Sequence, residues 1–342
     1  MISLRAGGAQ VIQEPRVVVV TGASAGVGRA TVRAFAREGA RVGLIARDTE
    51  GLHAAAREVD QAGGRGLAVA ADVADADQVE SAAARIEREL GPIAVWVNNA
   101  MTTVFARFVD VTPAEFKRAT EVTYLGAVYG TMSALRRMLP RNTGRIIQVG
   151  SALAYRSIPL QSAYCGAKHA IAGFTDSLRT ELIHDRKNIH LTMVQLPAMN
   201  TPQFLWCRSK MPRSPQPVPP IFQPEVAAER IVWASHHKRR EVFVGMPTVI
   251  AIEGNKLAPE LGDRYLARTG FDSQQTQDPA PVDRPDNLFE PVPGDFGARG
   301  IFGQQAHNAA ATTWLAGIGG KAVLAGAAVA GILALALNRR AS

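Results

Sequence analysis

From residue 17 to about residue 250 the chain alternates short apolar runs with stretches whose apolar residues recur at helical spacing. The runs Val17–Thr21, Val42–Ala46, Gly66–Ala70, Ala94–Asn98, Arg145–Gly150, His190–Leu196 and Glu241–Val244 predict seven strands. Near-continuous hydrophobicity, rather than strict alternation, is what a parallel sheet covered on both faces demands. Strands separated by helices read as βαβ units with right-handed crossovers, so the expected fold is α/β, a Rossmann-like, doubly wound, parallel seven-stranded sheet.

Two segments interrupt this rhythm. Pro and polar residues thicken at Met211–Pro220, between the sixth strand and the helix that begins near Glu225. In such a sheet this insertion sits above the carboxyl ends of the strands, either as a substrate-covering loop or as plain surface. Residues Phe271–Gly300 are rich in Asp, Pro, Gln and Gly with little periodicity, which predicts a C-terminal linker or an arm wrapping the domain. The last segment, Trp314–Leu337, is apolar apart from Lys321. As a helix it would span about 36 Å, enough for a bilayer core. Ala322, Gly326 and Ala330 recur every fourth position, which suits close helix pairing in a membrane. A candidate transmembrane helix acting as membrane anchor at 314–337, a buried or dimerising helix, and a disordered extension all fit. The terminal Arg339-Arg340 pair runs against the charge bias of a cytoplasmic domain anchored in this way. The organisation read from the chain is an N-terminal extension 1–14, an α/β domain 15–270, a linker or wrapping arm 271–310 and a hydrophobic segment 311–342.

Composition narrows the function classes. The 342 residues are 47% hydrophobic and 20% charged, which excludes wholesale disorder. The net charge of +8 is scattered, densest at His236–Arg240, and no zinc-finger or RNA-binding motif accompanies it, so no nucleic-acid partner is expected. Two cysteines, Cys165 and Cys207, make neither a disulfide framework nor a thiolate metal site, and His236-His237 lack further ligands, so no metal is expected. The N-terminus carries no secretory apolar stretch, which points to a cytoplasmic catalytic domain.

The candidate chemistry begins directly after the first strand. Thr21-Gly22-Ala23-Ser24-Ala25-Gly26-Val27-Gly28 leads into the helical run Arg29–Glu38. Glycines there allow a tight turn and close approach of backbone to a pyrophosphate, while the helix amino end offers N–H groups and a positive dipole. The second strand ends in Ala46-Arg47-Asp48, and its tip faces the adenosine ribose in this fold. Arg47 places a guanidinium where it can pair with a 2′-phosphate, which favours NADP(H) over NAD(H). A solvated charge at Arg47, or a ribose contact from Asp48, are the competing readings.

Tyr164 and Lys168 stand four apart within a helical stretch, Ser162–Leu182, and so share one face. Reducing a carbonyl needs a proton donor at the nascent alkoxide, and a phenol serves in the reverse direction only if a nearby cation stabilises phenolate. Ser151 lies 13 positions upstream of Tyr164, at the end of the fifth strand.

The TGxxxGxG turn, Ser151 and the Tyr164/Lys168 pair together resemble the short-chain dehydrogenase/reductase family in its compact form, over about residues 15 to 250. The resemblance implies that Ser151 holds the substrate carbonyl, that Tyr164 is the acid/base and that Lys168 also binds the nicotinamide ribose. It implies adenine contacts at Asp72 and Val73, and an Asn-Asn-Ala element at Asn98, Asn99 and Ala100, followed by Met101 where Gly is usual. Two departures stand out. The family's fourth catalytic position, an Asn, aligns with Thr123, and the usual Pro-Gly after strand six is Leu196-Pro197. Matched in this way, Met199 would present its backbone to the carboxamide and Thr201 would reach the cofactor phosphate or amide. The implied partners are a small carbonyl or alcohol substrate and a second copy of the chain, as homodimer or homotetramer. The expected function is NADP(H)-dependent hydride transfer to or from a secondary alcohol/ketone or aldehyde, with a lipophilic substrate favoured. The rival is a non-catalytic NADP(H)-binding scaffold or sensor at a membrane.

Overall fold

A computed structural model describes residues 15–309. All seven expected strands form within about one residue of their expected limits: β1 (Val17–Thr21), β2 (Arg41–Ala46), β3 (Arg65–Ala70), β4 (Ile93–Asn98), β5 (Gly144–Val149), β6 (Ile189–Gln195) and β7 (Glu241–Phe243). They make one parallel sheet in the order β7-β6-β5-β4-β1-β2-β3. β1 pairs with β2 on one side and β4 on the other, so chain order reverses at the end of β1. A crevice opens outside the strand ends at such a reversal.

Helices cover both faces. On one, α1 (Gly26–Ala36), α2 (Thr49–Gln61) and α7 (Pro224–His236) bury Val32, Phe35, Leu52, Val59, Val226 and Ile231 against the sheet. On the other, α3 (Ala76–Leu90), α5 (Gly126–Arg141) and α6 (Ser162–His184) bury Val79, Ile86, Met138 and Leu182. Side-chain caps set several starts. Asp48 accepts from the Glu50 and Gly51 amides at 3.2 and 2.8 Å and so begins α2. Its carboxylate serves as the helix cap and leaves acceptor capacity toward the strand tip. Thr112 and Glu115 form a reciprocal box at the start of α4 (Pro113–Thr120). A single wide π turn, Glu121–Leu125, joins α4 to α5 and holds Thr123.

Residues 271–309 are a wrapping arm rather than a free linker. Gln275–Pro279 pairs antiparallel with Arg213–Pro215 of the Pro-rich insertion, and Ala306–His307 pairs with Ile221–Phe222. Leu288, Ala298 and Phe302 are buried. The arm is therefore packed on the domain that the sequence reading ended at residue 270. Two helices, α8 (Met246–Leu257) and α9 (Pro259–Thr269), carry the chain from β7 to the arm. Among the described residues no helix is long and apolar enough to cross a membrane. The anchor expected at 314–337 lies outside the described residues.

One buried cation ties these parts together. Arg29, 1% exposed, donates to Glu58 at 2.7 Å, to the Ser24 carbonyl at 2.9 Å and to the Gly51 carbonyl at 2.8 Å, and lies 3.2 Å from Asp295. Burial opposes ionisation of Glu58, but hydrogen bonds from Arg29 and Arg33 outweigh it and hold the carboxyl down to about 2. A buried charge is tolerated only when paired and hydrogen-bonded in this way.

Candidate functional site

The turn after β1 depends on glycine at three positions. Gly22 and Gly26 hold φ of +65° and +59°, where a side chain is disfavoured. A Cβ on Gly28 would sit 2.0 Å from the Gly22 carbonyl oxygen, so the helix can approach the turn only with glycine there. Gly22, Ser24, Ala25, Gly26 and Val27 form one wall of a cleft of about 420 Å3. The dipole at the amino end of α1 gives this wall the chemistry an anionic pyrophosphate requires, while the Gly26 amide donates to the Gly297 carbonyl at 3.1 Å.

Thr21 and Gly28 support this wall without lining it. The Thr21 hydroxyl accepts from the Asn99 and Ala100 amides at 3.0 and 3.1 Å, and the Asn99 side chain donates to the Thr21 and Gly22 carbonyls at 3.0 and 3.2 Å. The ends of β1 and β4 are thereby locked together, with Asn99 and Ala100 facing the cleft. Behind them Asn98, Thr131 and Gln148 form a buried hydrogen-bonded triangle with sides of 2.9 to 3.0 Å.

At the other end of the cleft stand Ser151, Tyr164 and Lys168. β5 delivers Ser151, and the first two turns of α6 deliver Tyr164 and Lys168. Lys168, 3% exposed, donates to the Val149 carbonyl at 2.6 Å, with its Nζ 5.5 Å from the centre of the Tyr164 ring. Burial lowers the ammonium from its usual range to about 8. Burial pushes the Tyr164 phenol up, and a hydrogen bond with the Ser151 side chain pulls it partly back. A proton donor, a cation and a hydroxyl thus converge on one cleft wall, which suits proton transfer at a carbonyl oxygen.

Thr123 stands apart from this group. Its hydroxyl donates to the Thr102 carbonyl at 2.8 Å and accepts from the Thr102 amide at 3.0 Å, which fixes the loop after β4 to the π turn. Met199 and Thr201 do line the cleft, Met199 on a short strand, Ala198–Met199, that pairs with Ile221–Phe222. Asp72 and Val73 border a second cavity of about 120 Å3 beside Arg47. Asp72 also accepts from Arg118. Arg47 is not a solvated charge: it donates to the Phe289 and Asn287 carbonyls of the arm at 2.6 and 2.5 Å.

Gln216–Pro220 of the Pro-rich insertion border the cleft, as do Pro247, Thr248 and Ala251 of α8 and Leu266 of α9. Tyr155 does not, for its hydroxyl is bound to Glu241. Gln195 was missed by the sequence reading. Fully buried, it accepts from the Ser151 amide at 2.9 Å and donates to Glu241 at 2.9 Å, so it positions the Ser151 backbone. A polar residue at the end of an apolar strand was the available signal.

The short chain dehydrogenase family model matches residues 16–209, from the start of β1 through the helix-and-loop region after β6. The chain belongs to the short-chain dehydrogenase/reductase family. Among relatives of this short-chain dehydrogenase, the uncharacterized oxidoreductase YxnA of Bacillus subtilis (strain 168) is 32% identical over 267 residues, 78% of this chain and 75% of that protein. The probable oxidoreductase EphD of Mycobacterium tuberculosis (strain ATCC 25618 / H37Rv) is 38% identical over 179 residues, but these span only 30% of that protein. A metagenomic short-chain oxidoreductase solved in complex with NADP superposes with a TM-score of 0.57 at 26% identity, covering 67% of this chain and 96% of that one.

Proposed function

We propose that this protein reduces a lipophilic ketone or aldehyde, or oxidises the corresponding alcohol, with NADP(H) as the redox partner. The carrying observation is the convergence of Ser151, Tyr164 and Lys168 on the wall of the same cleft that begins at the glycine turn. The bound nicotinamide supplies or takes up the hydride. Tyr164 holds the proton delivered to the carbonyl oxygen, Ser151 orients that oxygen by a hydrogen bond, and Lys168 stabilises the phenolate left behind. Thr123 acts as a positioning residue, through Thr102, rather than on the proton. Leu153, Ile158, Leu196, Phe204 and Val218 along the same cleft favour an apolar substrate.

The test is oxidation of NADPH with a panel of apolar ketones and aldehydes, followed against pH. Lys168 is lowered to about 8 in the folded protein, so it is a cation below that value and neutral above it. Reductive turnover should therefore be full below about pH 8 and fall as pH rises through it. Tight NADPH binding with no turnover on any carbonyl would favour the scaffold reading. A profile flat to pH 10 would remove Lys168 from the proton step.

The NADP-bound structural relative and Arg47 both support a preference for the phosphorylated cofactor. A guanidinium carries five N–H donors, and Arg47 uses two of them on arm carbonyls, which leaves donors for a 2′-phosphate. Arg47→Asp should weaken NADPH by about 100-fold more than it weakens NADH, roughly 2.7 kcal/mol of lost discrimination. Equal losses for the two cofactors, measured by fluorescence titration, would defeat this assignment.

A further inference from the structure

The second cavity has a wall of unexpected origin. One side is the tips of β2 and β3, with Arg47 and Val73, where the adenosine end of a dinucleotide lies in a doubly wound sheet. The opposite side comes from the C-terminal arm, through Pro291, Val292, Gly294 and Phe296. Both cavities are bordered by Gly22, Ser24, Trp206 and Asn287, so they adjoin along the glycine turn as the two ends of one candidate channel.

The arm is tied down at the elements that form this channel. The Gly26 amide, at the amino end of α1, donates to the Gly297 carbonyl at 3.1 Å. Arg47 at the tip of β2 grips the Asn287 and Phe289 carbonyls, and Arg118, which also holds Asp72 at the tip of β3, donates to the Leu288 carbonyl at 3.1 Å. Leu288 between them is fully buried. Phe296 is edge-on to Trp206, with ring centres 4.5 Å apart, at the junction of the two cavities. The main-chain ties fix the segment in place, while Val292, Phe296 and Val73 present apolar surface to the cavity and the tips of β2 and β3 present polar edges. A planar purine, apolar on its faces and polar at its rim, has that chemistry.

We propose that residues 287–297 form the outer wall of the cofactor site and enclose the adenosine half of NADP(H). The proposal rests on the NADP(H) reading above. It assigns binding to a segment beyond the region that carries the family resemblance, with Phe296 and Val292 as the contacting side chains. A cofactor held under a pinned wall leaves only when the wall lifts, so its release is slow.

The experiment measures equilibrium binding and stopped-flow release of NADPH, read by energy transfer from tryptophan, in the full chain and in Phe296→Ala and Val292→Trp. The first variant opens the wall and the second fills the cavity; thermal unfolding identifies any variant that has lost its fold. Each variant should weaken NADPH by about tenfold or more, with faster release in Phe296→Ala. Adenosine 2′,5′-bisphosphate should weaken by a similar factor, and nicotinamide mononucleotide should bind as to the parent chain. If folded variants bind NADPH and the bisphosphate as the parent does, or more tightly, the arm is not a cofactor wall. If the parent itself binds no NADPH, the functional reading fails instead.

Discussion

Tyr164→Phe should bind NADPH within about twofold of the parent protein and reduce carbonyls at least about a thousandfold more slowly. The substitution removes one hydroxyl from a ring whose position is set by α6, so the cleft keeps its shape. Lys168 keeps its hydrogen bond to the Val149 carbonyl, and Ser151 keeps its backbone bond to Gln195. What disappears is the phenol assigned to deliver the proton to the carbonyl oxygen. Because the loss falls on proton transfer, it should appear in kcat with little change in cofactor affinity. Single-turnover kinetics under saturating NADPH give the number, and retention of even a tenth of the parent rate would sink the assignment.

Gly28→Ala should cost far more than a methyl group normally does in a helix, where Ala is the better helix former. The added Cβ would lie 2.0 Å from the Gly22 oxygen and 2.6 Å from the Asn99 side-chain nitrogen. Both are fixed: Gly22 belongs to the turn, and Asn99 is bonded across to it. The helix must therefore move away from the turn, carrying its amino end out of line with the pyrophosphate cradle. We expect a stability loss of about 1–3 kcal/mol from overpacking, with NADPH affinity down at least about 100-fold. Thermal unfolding and fluorescence titration read the two effects, and unchanged affinity would show that the turn is not where the cofactor sits.

The sequence made these positions visible because they are encoded at short range. The glycine spacing, the four-residue step from Tyr164 to Lys168 and the run into Ser151 each lie within one strand–turn or one helix face. Strand periodicity likewise located the sheet, since burial on both faces leaves uninterrupted apolar runs. Arg29 was harder. It shares a helix face with Val32 and Ala36, and a lone cation on an apolar face signals a buried pair, but its partners Glu58 and Asp295 are distant in the chain. The arm was legible only as an absence of pattern. Its ties run from Arg47 and Arg118 to main-chain carbonyls, which every residue possesses, so nothing in the side chains of 287–289 announces them.

Arg47 and its carbonyl partners are separated by 240 and 242 positions, and Arg29 and Asp295 by 266. During synthesis from the N-terminus, β1, α1 and β2 emerge long before the segment that completes their surroundings. Until residue 297 is available, Arg29 has Glu58 and two carbonyls but lacks Asp295, and Arg47 lacks both of its carbonyl acceptors. The glycine turn and the tip of β2 are therefore among the first parts of the chain to be made and among the last to gain their full set of partners.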